Sequence, residues 1–301
     1  MAAPEKKLTE PPEDLKEAID WVLRVSGGDS HSMISMPLFM DALDGVLKYS
    51  YHISDSEIGK LLTEVKKDKD QFTDGPITAV AKALRTFIGY GYKSEESNNK
   101  WKIVDTGIVQ KGDINSVYTS SYQGSWSKDV YSGDFNNSKR KRGVHSFFTA
   151  IEKIYEGLTE LYYNCKKDWK NENLGGTSGE GLKQFMEKNG FDTAKLNTSM
   201  KGDIITSQAF QDLNEFTTAY SGAGENPSLD AFRYQLEQNA WSKPSASPLS
   251  ALYILATHAY VQSTSAATPS FLGYSGTAAL AGGAYGLNLG GLGTFMSAFL
   301  A

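Results

Sequence analysis

Apolar residues recur at steps of three and four along most of the chain, and turn chemistry divides the runs. In PPEDLKEAIDWVLRVSGG (residues 11–28), Leu15, Ala18, Ile19, Val22 and Val25 fall on one helical face, which Trp21 and Leu23 broaden. Pro11 and Pro12 suit a first turn, and Glu13 and Asp14 place negative charge at the helix N-terminus. Arg24 sits in the last turn, and Gly27 and Gly28 offer a left-handed stop. Three more helices are predicted next. Residues 37–51 carry Phe39, Leu43, Val46 and Leu47 on one face. A third starts at Ser54, with Glu57 in capping-box spacing, and runs through Ile58, Leu61, Leu62 and Val65. A fourth opens at Asp74-Gly75-Pro76 and continues through Ile77, Val80, Ala81, Leu84 and Ile88 to Gly89. Short amphipathic helices with tight connections predict an antiparallel bundle.

The periodicity stops at Tyr90. Residues 90–143 are rich in Ser, Asn, Gly, Lys and Tyr, and the stretch is too long for an ordinary loop within a compact domain. Its β-prone pieces, residues 101–109 and 117–122, can pair as a hairpin. Residues 144–169 form the strongest helical pattern, a broad stripe from Val144 and Phe147 to Leu161 and Tyr162, expected to be the central element. Shorter helices are predicted at 179–189, 204–220 and 228–241, and a last amphipathic one at 248–262 through Leu252, Leu255 and Ala259.

The expected fold is therefore mainly α. It is a multi-helix bundle with a polar insertion that has room for a β-hairpin, and a Gly-rich apolar C-terminal segment. Four regions follow: 1–89, an N-terminal helical region; 90–143, the polar and aromatic insertion; 144–262, helices completing the bundle; and 263–301, an uncharged segment. No Asp, Glu, Lys or Arg follows Lys243. Gly282, Gly286 and Gly290 have the spacing of closely packed membrane helices. Residues 278–300 have the length of a membrane span, but the glycines and Asn288 weaken it. A span, a buried or membrane-associated apolar segment, and a glycine-rich tail all fit this composition.

Composition narrows the classes. Hydrophobic residues make up 40% of the 301 and charged residues 22%, as in a packed globular protein. A net charge of −5 gives no global field to recruit nucleic acid. Cys165 is the one cysteine, so no intrachain disulfide forms, and a small core residue is the expected role. The N-terminus lacks the apolar core of a cleavable secretory signal.

Catalytic patterns are missing. His31, His52, His145 and His258 stand far apart, outside HExxH or any Cys/His cluster. The chain has no GxxxxGK[ST], and Gly273-Tyr274-Ser275-Gly276 is followed by Thr277 rather than completing GxSxG. No carboxylate pair stands out from ordinary surface charge. Neither an enzyme nor a cofactor is expected. Two features suggest recognition. Tyr90, Tyr92, Tyr118, Tyr122, Trp126 and Tyr131 lie among Ser, Gly and Asn, the composition of adaptable binding loops. A small β-subdomain with its own aromatic core would have the same composition. Lys139-Arg140-Lys141-Arg142 is either a patch for sulfated glycan or anionic lipid, or a solvated basic stretch ahead of the long helix.

Two segments also carry a resemblance. LKEAIDWVLRVSG with the preceding EKKLTEPPEDL, and ATPSFLGYSGTAALAGGAYGLNLGGLGTF (residues 267–295), resemble the variant erythrocyte surface antigens of Babesia parasites. The two matches occur in the family's order and frame nearly the whole chain. The resemblance implies an antigen on the infected erythrocyte that adheres to host endothelium and varies to evade antibody. It implies an endothelial or erythrocyte receptor, a partner antigen subunit and membrane association through the C-terminal segment, with no nucleic acid. Longer members carry a cysteine- and lysine-rich region and a transmembrane segment. This chain, with a single cysteine and an early stop, resembles a short or truncated member, or a donor copy that is not displayed. An intracellular helical scaffold is the alternative the composition leaves open.

Overall fold

The computed structural model describes residues 8–26, 39–40, 43, 56–69, 75–92, 101–103, 107–108, 137–175 and 181–265. The molecule is mainly helical, a multi-helix bundle around one continuous apolar core. The helices are α1 (Leu15–Val25), α2 (Ser56–Lys66), α3 (Pro76–Ile88), α4 (Asn137–Lys166), α5 (Leu182–Lys188), α6 (Gly202–Ile204), α7 (Asn214–Gly222), α8 (Leu229–Ser242) and α9 (Pro248–Ser265).

Helix α1 forms where its apolar face is predicted, and Leu15, Ala18, Ile19, Trp21, Val22 and Val25 are all buried. It begins at Leu15, after the prolines, with a polar lock at its start. The Glu17 N–H donates to Asp14 Oδ1 at 2.8 Å, and the Glu13 N–H donates to Glu17 Oε2 at 2.8 Å. This reciprocal pairing satisfies orphan N-terminal donors much as a capping box does. The helix packs along α4, where Gly157 leaves room for the Leu15 methyl groups. Trp21 sits against Phe39 and Phe147, with centroids 5.7 and 5.9 Å away, and its indole N–H donates to the Leu8 carbonyl at 3.0 Å.

Of the predicted second helix, Phe39, Met40 and Leu43 are described; they are helical and buried. Ser54 and the Glu57 side chain, the predicted capping box, lie outside the described residues. Helix α3 is capped from a distance. Gly75 has no side chain to offer, and the buried Asp68 of the 3-10 turn Lys67–Lys69 accepts from the Ile77 and Thr78 N–H groups at 2.8 and 2.9 Å.

Several expectations are corrected. The long helix starts at Asn137 rather than Val144, so residues 137–143 belong to the bundle and not to the insertion. The predicted helix over 204–220 is two pieces. A π-type turn at Ile205–Ala209, with the Phe210 N–H reaching the Ile205 carbonyl at 3.2 Å, follows α6 and turns the chain before α7. The break lets Phe210 and Phe216 both pack against Tyr162, which an unbroken helix would place on different faces. In the predicted hairpin, Trp101–Ile103 does pair, but its antiparallel partner is Tyr90–Tyr92. Residues 117–122, the expected partner, lie outside the described residues. Helix α9 is not amphipathic over its described side chains: Leu249 to Thr257 are buried on every side, against α2, α3, α4 and α8. The centre of the fold is therefore the α4–α9 pair rather than α4 alone.

Among the described residues, Ile108 anchors the insertion in the core. Ile108 is fully buried, its N–H donates to the Phe87 carbonyl at 3.1 Å, and its carbonyl accepts from the Asn197 N–H at 2.7 Å. Gly107 lets the chain pass there: a β-carbon would lie 2.0 Å from the Gly89 Cα.

Candidate functional site

The predicted recognition residues fall into three groups. Tyr90 and Tyr92 form the first strand of the hairpin, their side chains outside the described set. Tyr118, Tyr122, Trp126 and Tyr131 lie outside the described residues altogether. Lys139, Arg140, Lys141 and Arg142 are not a free stretch before the long helix; they form part of the first two turns of α4. Arg142 is exposed, and its carbonyl accepts from the Ser146 hydroxyl at 3.0 Å. Four basic residues there oppose the helix macrodipole, which favours anions at an N-terminus.

Next along α4, His145, Thr149 and Lys153 follow at steps of four. They line an open cavity of about 540 Å³ with Glu10, Pro11, Pro12 and Glu13. His145 Nδ1 is buried and has no hydrogen-bond partner among the described residues, and burial lowers the ring's pKa below its ordinary 6.5. The ring is thus mainly neutral at pH 7. The cavity offers one neutral imidazole, one hydroxyl, one ammonium and two carboxylates on exposed residues. Among the described residues, no group of three or more His, Cys, Asp or Glu could hold a metal ion. His31 and His52 lie outside them, and His258 packs edge-on to Trp241 with centroids 5.9 Å apart.

A second, half-buried polar cluster lies where α4, α8 and α9 meet. Glu156 of α4 is its hub. It pairs with Arg233 of α8 and accepts from the Tyr253 hydroxyl of α9 at 3.1 Å. Glu237, one turn beyond Arg233, is 6% exposed, and its Oε2 has no partner among the described residues. Tyr155, stacked on Tyr253 at 3.9 Å between centroids, also has an unpartnered buried hydroxyl. Burial first, then the charge of Glu156, pushes Glu237 and Glu152 up to about 7.

Sequence inspection finds no outstanding carboxylate pair, and the structure shows why. Glu152, Glu156 and Glu237 come from two helices, and each reads as surface charge in its own segment. The one local signal is Glu237, which sits beside Leu236 on the stripe carrying Phe232 and Ala240.

Glu215 is a deeply buried carboxylate, 3% exposed. Its oxygens accept from the Leu249 N–H at 3.2 Å and from the Ser250 N–H and hydroxyl at 3.2 and 2.8 Å. It caps α9 from α7, and burial still raises its pKa to about 7. Cys165 is fully buried, and burial pushes its thiol pKa far up, so it stays protonated and is a poor nucleophile. The arrangement supplies packing, caps and buried acids, while the open cavity sets the exposed Glu10 and Glu13 beside the half-buried His145, Thr149 and Lys153. Comparison of the chain with family models, curated proteins and solved structures finds no match.

Proposed function

We propose that this chain is a variant surface antigen of the infected erythrocyte, a non-catalytic helical scaffold carrying a changeable recognition segment. The observation that carries this reading is the pair of segments resembling the Babesia antigens, in the same order, at residues 5–27 and 267–295. The division of labour in the fold is consistent with it. The first segment supplies α1, whose apolar face is wholly buried. A family-like sequence there preserves the bundle. Residues 93–100 and 109–136 link α3, the hairpin and the Ile108 anchor to α4, and their sequence can change while α1, α3 and α4 keep their contacts.

In this reading the tyrosines and Trp126 of residues 90–143 contact a host endothelial or erythrocyte receptor, and the basic turns of α4 border that surface. A partner antigen subunit and membrane association through residues 263–301 belong to the same proposal. Among the described residues, no helix is long and apolar enough to cross a membrane.

The test is staining of live, unpermeabilised infected erythrocytes with an antibody raised against residues 90–143. Surface signal that external protease removes is the expected result. Signal only after permeabilisation, with clear expression by blot, leaves an internal scaffold as the better description.

A further inference from the structure

We propose that the junction of α4, α8 and α9 is a proton-operated clamp, which holds helix α8 down in acid and lets it lift as the medium becomes neutral. The argument starts from geometry. Helix α8 lies at the edge of the bundle, with Tyr234 51% exposed on its outer side. Its inner side presents Phe232, Leu236 and Ala240 to the core, and Glu237 beside them. Turns flank it. Gly224, at φ 109°, lies before it, and Pro244 opens a 3-10 turn after it.

The three helices packed on α8 bring titratable groups, and the 3-10 turn Pro244–Ala246 brings none. Glu152, Tyr155 and Glu156 come from α4. Glu215 and Tyr220 come from α7, and Tyr253 and His258 from α9. On α8 itself, Arg233 is the cation near Glu237, and it is engaged with Glu156. A protonated Glu237 is neutral and has a hydroxyl to donate. The buried Tyr155 hydroxyl, which feels the charge of Glu237, also has no hydrogen-bond partner among the described residues. A deprotonated Glu237, itself buried, sets a second carboxylate against the half-buried Glu156. Lifting α8 returns that charge to solvent.

The sign follows from linkage. In the packed state Glu237 holds its proton up to about pH 7, whereas a solvated glutamate releases it near 4.5. The packed form therefore binds more protons between those values, and its advantage is full below the lower one. The advantage is lost as pH rises toward 7 and changes little above it.

The experiment is amide hydrogen exchange on the full chain from pH 5 to pH 8, corrected for intrinsic rates, in wild type, Glu237→Gln and Glu156→Gln. For the wild type, opening of α8 should rise by about tenfold per pH unit up to pH 7 and then level off. Gln is neutral at every pH, so Glu237→Gln should remove most of that rise in α8 while leaving α1 exchange the same as wild type. Glu156→Gln removes the opposing charge without touching Glu237, and should shrink the rise if the first variant does not fold. Two results would overturn the proposal. One is an α8 pH dependence that is the same in wild type and the folded variants. The other is α1 exchange that follows α8 in step, which would mean a loss of global stability and no clamp.

Discussion

At the scale of single residues, large side chains are held by shape, and some by a polar contact as well. Trp21 is the clearest case. It is fully buried, meets Phe39 and Phe147, and satisfies its indole N–H on the Leu8 carbonyl. Trp21→Ala should destabilise the protein by about 3–5 kcal/mol, because the aromatic contacts go and a cavity remains. Urea unfolding followed by circular dichroism measures this, and a loss below about 1 kcal/mol would mean the pocket collapses or is not packed as described. Trp21 was legible in the sequence as part of an apolar stripe. Its partner carbonyl was not, because Leu8 lies thirteen residues away beyond two prolines.

At the scale of elements, carboxylates distant in sequence start the helices. Asp68 caps α3, Glu172 accepts from the Leu182 N–H at 2.7 Å at the start of α5, and Glu215 caps α9. Such caps satisfy N–H donors that every helix leaves open. Glu215 serves three donors within the core, so Glu215→Ala should cost on the order of 3 kcal/mol, with Glu215→Gln retaining part of it. Thermal unfolding of the two variants at one pH checks the order. An alanine variant as stable as the glutamine variant would contradict the capping role.

These caps mark the limit of local reading. Periodicity placed α1, α2, α3, α5, α8 and α9 close to where they lie, and α4 without its first two turns, because burial of one face leaves a repeat of three and four. It joined α6 and α7 into one helix, since a π-type turn keeps an apolar residue every few positions while rotating the face. It also took α9 for amphipathic, though Ser250, Thr257, Ala251 and Ala256 are buried too. Small and hydroxyl residues look solvent-facing in a sequence and fit well inside a crowded core.

At the scale of the whole molecule, α4 and α9 form the axis and the other helices gather around them. The acid cluster at the α4–α8–α9 junction was invisible beforehand, because its carboxylates come from two helices, α4 and α8, and meet only after folding. The basic run Lys139 to Arg142 was legible as charge, but its place in the first two turns of α4 was not. No periodic apolar residue precedes Val144 to reveal the helix start.

Display of the antigen is the central functional claim, and external trypsin on intact infected erythrocytes, with peptide mapping over time, tests it most directly. Residues 93–136 contain several lysines, and the display reading makes them the part that faces outward. The predicted result is early cleavage within 93–136, with α1 and the α4–α9 bundle recovered as resistant fragments from unbroken cells. A chain that stays intact until the cells are permeabilised, in cells that express it, would contradict the claim.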